Sequence, residues 1–171
     1  SEYSDFVEDA NFARKAFEES QKEMLKEEVT AVSDYINYTK NLTESVLRKT
    51  VRDRVIEASG VASHLHQVYS DSKSPEEVQQ LIKDTLRQLR FNDGRGYYFI
   101  FNLNGIEELF ADRPELEGQN MLSLQGAKGE FVVRDMINLV RVSDEGFYSY
   151  TWTKPGEEGN FYKKTAFVKS F

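Results

Sequence analysis

Two rows of large rings stand out in the C-terminal half of this chain, together with two lysines that could put a charge beside them. If Gly146 to Thr153 is extended, alternation places Tyr148, Tyr150 and Trp152 on one face. The earlier run Tyr97-Tyr98-Phe99-Ile100-Phe101 puts Tyr97, Phe99 and Phe101 on one face in the same way. Tyr and Trp give flat apolar walls with a hydrogen-bonding edge. Lys164 and Lys169 fall on a last extended run, Phe161 to Lys169, at positions of opposite parity, so at most one of them enters a given cavity. Apolar walls, a few donors and one cation in low dielectric are what a pocket for a small anion requires. The competing reading is plain: Phe99 and Phe101 as core, and the lysines as solvated residues discouraging edge-to-edge strand pairing.

Other chemistries find less support. His64 and His66 are two apart, and on a helix such rings point about 200° from each other, so they do not converge on a metal. There is no cysteine, which removes both disulfides and thiolate metal sites. No Ser-His-Asp order, Gly-rich phosphate loop or His-Glu-x-x-His motif occurs, and the pair Glu107-Glu108 carries no mark of an acid and base. The expectation is a binding domain without cofactor, not an enzyme. A net charge of −7 argues against nucleic acid as a partner. Arg95 and Arg113 flank the first expected hairpin as alternative anion binders, with surface arginine as the simpler reading.

The elements that must carry these residues follow from periodicity. From about Asp5 to Ser59 there is neither Pro nor Gly, and apolar residues recur at Leu25, Val29, Val32, Ile36, Leu42 and Val46 in steps of three and four with one slip. About 50 helical residues make a rod of roughly 75 Å, so part of it must project or pair with another helix. Ser59-Gly60 is a candidate kink, since Val61, Leu65 and Val68 continue the spacing. Ser74-Pro75-Glu76-Glu77 is a helix start with a capping box, followed by Val78, Leu81, Ile82, Leu86 and Leu89. Beyond it, Ile106 to Phe110 reads as the hairpin partner of Tyr97–Phe101, a strand with large residues on both faces and hence covered on both. Asp112 to Gly129 reads as a functional loop, Phe131 to Val140 as a helix, and Lys154 to Asn160 as a polar turn. The fold class is α+β: a long helical region over 1–73, then a helix and an antiparallel sheet over 74–171, in one structural unit.

Several of these residues also form a pattern. Gly96-Tyr97-Tyr98-Phe99-Ile100, the turn at Asn104-Gly105 and Pro114-Glu115-Leu116-Glu117-Gly118-Gln119-Asn120 resemble the single Cache domain family, a PAS-like sensor fold. So do Gly146-Phe147, Tyr150-x-Trp152, Lys154-Pro155-Gly156 and Lys164-x-x-Phe167-Val168-Lys169-x-Phe171. The resemblance covers roughly Leu89 to Phe171 and implies a five-stranded antiparallel sheet with a long N-terminal helix packed on it. It implies a periplasmic sensor of a membrane-anchored receptor (chemoreceptor, histidine kinase or diguanylate cyclase) that binds a short carboxylate such as acetate or pyruvate. By the family pattern either Lys164 or Lys169 is the cation, Asn120 and Met121 fall where a lid would, and Phe110-Ala111 replaces a frequent His-Pro pair. The ligand-lining set is therefore Tyr97, Phe99, Phe110, Asn120, Met121, Tyr148, Tyr150, Trp152, Lys164 and Lys169. The helical stripe implies a homodimer in the full receptor. The family continues past Phe171 with a final strand, and the chain reads as a piece of a longer protein. A rival expectation is a ligand-free module for dimerisation or for docking another protein.

Overall fold

The computed structural model describes residues 2–154 and 157–171. Two units are distinguished, 1–47 and 48–171. Residues 2–47 belong to helix α1 (Glu2–Tyr69), and their side chains are exposed apart from the half-buried Glu44. The stripe Leu25, Val29, Val32, Ile36, Leu42 and Val46 is on the surface of that unit.

In the second unit α1 becomes a packing element. Val51, Ala58 and Ala62 are buried, and the small side chains at 58 and 62 let other elements approach closely. Ser59-Gly60 lies inside the helix, which runs on to Tyr69. Helix α2 (Pro75–Arg87) starts at the expected capping box: Glu77 N–H donates to Ser74 Oγ, and Ser74 N–H donates to the Glu77 carboxylate. It buries Val78, Ile82 and Leu86, spaced by one turn, against Ala58, Ala62, Tyr98 and Leu109. The helix ends two residues before the expected Leu89, which is exposed.

Strands β1 (Phe99–Phe101) and β2 (Glu107–Phe110) form one antiparallel hairpin. β1 is shorter than the expected Tyr97–Phe101 because Gly96 folds back on Phe91 through reciprocal backbone hydrogen bonds. It is covered on both sides as the sequence predicts. Tyr98 faces α1 and α2, while Phe99 and Phe101 face helix α3 (Val132–Ser143). Strands β3 (Glu145–Lys154) and β4 (Glu157–Lys169) form a second, longer hairpin. Both extend into the expected polar turn, since Lys154 pairs with Glu157 across the ladder; Pro155 and Gly156 lie outside the described residues. The expected loop after β2 holds a short 3-10 turn, Pro114–Leu116.

One expectation needs correction. Among the described residues the strands form two two-stranded sheets, not a single five-stranded one. A groove of ≈ 470 Å³ is lined by residues 97–103 on one hairpin and 167–171 on the other, with Ala58, Ala62, Ile82 and Leu86 among its apolar residues. A ladder needs neighbouring strands about 4.8 Å apart, and β1 and β4 do not pair. They are joined instead through side chains: Phe99 and Phe101 pack with Val132, Met136, Ala166 and Val168.

The cap makes the first prediction. Ser74→Ala removes the acceptor for the Glu77 N–H, so it should cost about 1 kcal/mol and lower the melting midpoint by roughly 2–4 °C, read by thermal denaturation followed by circular dichroism.

Candidate functional site

The register of the long hairpin decides which side chains share a face. Tyr148 pairs with Ala166, Tyr150 with Lys164 and Trp152 with Tyr162, so all six point the same way. On the short hairpin Phe99 pairs with Phe110. Rings stack along both: Tyr97 on Phe110 with centroids 5.6 Å apart, Phe99 on Phe101 at 5.7 Å, Tyr148 on Tyr150 at 5.9 Å, with Trp152 at 6.5 Å from Tyr150. The aromatic wall expected from alternation is therefore present.

Lys164 is the lysine of this face. Its Nζ donates to Tyr97 Oη at 3.1 Å and lies 4.8 Å from the centre of that ring. Among the described residues no carboxylate comes within ion-pairing distance of it. Burial lowers its pKa, and Asp112 opposes that effect. Lys169 sits on the other face, where it pairs with Glu145 at 3.2 Å and Asp144 at 3.6 Å, and these partners hold its pKa above the usual value. The two amines are separated by strand parity, as the sequence required.

A second titratable group lies near this face, and sequence reasoning passed over it. The β1–β2 ladder shifts register between Ile100 and Phe101: Ile100 pairs with Leu109, yet Phe101 pairs with Glu107, leaving Glu108 as an extra residue. Such a bulge re-aims a side chain. Leu109 faces the core of α1 and α2, while Glu107 is moved to the side of Phe99, Phe101 and Phe110. The segment after the 3-10 turn pairs with its backbone. Glu107 N–H donates to Gln119 O, Gly118 N–H donates to Glu107 O, and Met121 N–H donates to Gly105 O. Glu107 is 3% exposed, and its Oε1 has no hydrogen-bond partner among the described residues. Burial first, then the charges of Glu117 and Glu108, push its pKa up to about 8. Its charge acts in turn on Tyr97 and Tyr150, both driven well above the usual phenol range by burial.

The neighbouring carboxylate goes the opposite way. Arg87 of α2 forks onto Glu117 with bonds of 2.6 and 2.8 Å, and Phe110 N–H donates to the same carboxylate at 2.9 Å. Arg87 holds the Glu117 carboxyl below its usual value. The two acids are thus tuned apart, one charged and one neutral near pH 7. The far end of the loop is tied down by Glu130, which accepts from Lys128 N–H and from Thr151 N–H of β3.

The other expected lining residues divide into two groups. Phe110, Tyr148, Tyr150 and Trp152 come together with Tyr97 and Lys164. Tyr148 Oη donates to Asp135 of α3 at 2.6 Å, and Trp152 Nε1 is buried without a partner among the described residues. Asn120 and Met121 are placed elsewhere. The exposed Asn120 amide builds its own turn, accepting from Leu122 N–H and donating to Asn104 O, and Met121 packs in the core with Val133 and Ile137. Arg95 is exposed and bonds Asn92 O, while Arg113 pairs with Glu115.

A family model for the Cache domain matches residues 2–171. The chain belongs to the Cache domain family. Solved structures agree with that placement. This Cache domain is 27% identical to a Cache chemosensory domain described for its carboxylic acid recognition, with a TM-score of 0.68 over 72% of this chain and 83% of that one. It is 25% identical to the periplasmic sensor domain of a chemotaxis protein, with a TM-score of 0.67 over 71% of this chain and 84% of that one. A methyl-accepting chemotaxis protein from Vibrio parahaemolyticus RIMD 2210633 matches at 25% identity and a TM-score of 0.55, over 72% and 84% of the two chains. Among the described residues no helix is long and apolar enough to cross a membrane.

Glu107 makes the site's own prediction. The folded carboxyl titrates near pH 8, against 4.5 for an ordinary one. Between those values the unfolded chain releases a proton that the folded chain keeps, so folding stability falls as pH rises through the window. Glu107→Gln should therefore be more stable than wild type at pH 7, by up to about 3 kcal/mol, and should lose that advantage below pH 4.5. Urea unfolding at both pH values checks it.

Proposed function

We propose that this Cache domain is the periplasmic input domain of a membrane-anchored signal-transduction receptor of the chemoreceptor kind, and that it senses a small organic carboxylate. The observation that carries the reading is Lys164: a half-buried ammonium against Tyr97, walled by aromatic rings, with no carboxylate partner among the described residues. A cation held away from water is costly unless an anion joins it, and a short carboxylate fits both the charge and the apolar walls. The likeness to a chemosensory domain described for carboxylic acid recognition supports the same class. Tyr97, Phe110, Tyr150 and Trp152 would form the walls. Lys169, with two acidic neighbours of its own, is the weaker candidate for the ligand's counter-charge.

Binding becomes a signal only if the ligand favours one arrangement of the domain over another. The loop between Asp112 and Gly129 borders the site and would close on it, shifting the sheet against α1. The exposed apolar stripe on the first 47 residues fits a second copy of the same helix, as in a receptor homodimer. No catalytic role is assigned to any residue. A ligand-free docking module is the second reading, favoured by Phe110, which stacks on Tyr97 where the family often carries a His-Pro pair.

A thermal-shift series against acetate, propionate, pyruvate, lactate and amino acids separates the two. An acid bound at about 100 times its Kd should add about 2.7 kcal/mol to the stability of the wild type. Lys164→Met keeps the apolar stem without the charge, so it should melt normally and bind that acid at least about tenfold more weakly. Absence of any shift with all of these ligands would favour docking.

A further inference from the structure

The sensing site contains one buried acid that a carboxylate pocket should not tolerate in its charged form. We infer that the Glu107 carboxyl is a second ligand contact, donating its own proton in a hydrogen bond to an acceptor oxygen of the bound acid, so that ligand capture is coupled to a proton. The inference rests on the carboxylate-sensing reading and adds a residue and a pH response to it.

Geometry carries the case. The bulge at Glu108 turns Glu107 toward the aromatic face, residues 118–121 pair with the backbone of 105–107, and Glu107 is 3% exposed. Among the described residues its Oε1 is buried without a partner, and so is Trp152 Nε1, on the face of the long hairpin that carries Tyr148 and Tyr150. Buried polar atoms are nearly always paired, and two orphans at one functional face point to a ligand that completes them.

The groups around Glu107 leave its charge uncompensated. From the residues before β1 and from β3 come the phenols Tyr97 and Tyr150, which burial keeps neutral. From β2 comes Glu108, paired with Lys83 of α2 at 3.6 Å. From the loop come Glu117, already forked to Arg87, with Arg113 and Asp112 acting on Tyr97. From β4 comes Lys164, bonded to Tyr97 rather than to this carboxyl. Burial, then the like charges of Glu117 and Glu108, oppose ionisation, in line with a titration near pH 8. Neutral Glu107 is a donor; ionised, it accepts only and repels a carboxylate. Neutral Glu107 would thus add a donor beside Tyr97 and Tyr150, the two rings that also border Lys164. Above the titration point, binding the acid requires uptake of a proton, so affinity should fall about tenfold per pH unit.

Isothermal titration of the full 171-residue chain with acetate, propionate, pyruvate and lactate, over about pH 6 to 9, tests this. For an acid that binds, the wild-type Kd should be nearly level up to about pH 7.5 and rise about fivefold between pH 8 and 9. Glu107→Gln, which keeps a donor but cannot ionise, should bind within about threefold of wild type at pH 7 and lose that added pH dependence. Glu107→Leu, which has no donor, should melt cooperatively at a midpoint no lower than wild type and bind at least about tenfold more weakly at pH 7. An E107Q profile that rises as steeply as wild type, or an E107L chain that binds equally well, would overturn the role of Glu107. The sensor reading would stand in that case if Lys164→Met still lost affinity. Failure of all four acids to bind wild type at any of these pH values would overturn the proton coupling and the carboxylate reading together.

Discussion

Exclusion of water from the side of the two hairpins that faces α3 governs the chemistry of the site. Phe99 and Phe101 from the short hairpin meet Ala166 and Val168 from the long one over Val132 and Met136, and no ladder hydrogen bonds join the two hairpins. Burial of apolar surface does that joining. It also acts on every polar group nearby. Burial lowers the pKa of Lys164, raises that of Glu107, and drives Tyr97, Tyr148 and Tyr150 upward, and in each case it is the leading cause. One low-dielectric environment therefore favours the neutral form of acids and amines alike.

Against that common effect, specific partners select which charges survive. Arg87 keeps Glu117 ionised through two hydrogen bonds, and in doing so fixes the loop after β2 to helix α2. Glu117 is also a leading cause of the raised titration of Glu107. The two acids are linked electrostatically: the carboxylate that anchors the loop is part of what keeps its neighbour neutral. A buried acid that weakens folding above its ordinary pKa is a cost that a functional site can retain.

Family membership and the reading of the local geometry rest on separate observations. Family membership rests on a match over residues 2–171. The reading of Lys164 rests on strand register and on its contact with Tyr97. The bulged Glu107 places an ionisable group beside Tyr97 and Tyr150.

Much of this is determined by local sequence. The capping box at Ser74 and Glu77, the uninterrupted helical spacing before it, and the rows Tyr97, Phe99, Phe101 and Tyr148, Tyr150, Trp152 all depend on residues within a few positions of each other. Strand parity likewise puts Lys164 and Lys169 on opposite faces, whatever packs against them. Parity does not say which face lies inside, because that depends on what covers it: α3 and Tyr97 on one side, Glu145 and Asp144 on the other. The division of the strands into two hairpins is equally hidden, since ladder partners come from distant parts of the chain. Glu107 shows the limit most clearly. Simple alternation gives no warning of a bulge at Glu108, and nothing in Ile106 to Phe110 says that residues 118–121 will fold across it. Its burial, its orphaned oxygen and its shifted titration exist only once those backbone hydrogen bonds have formed.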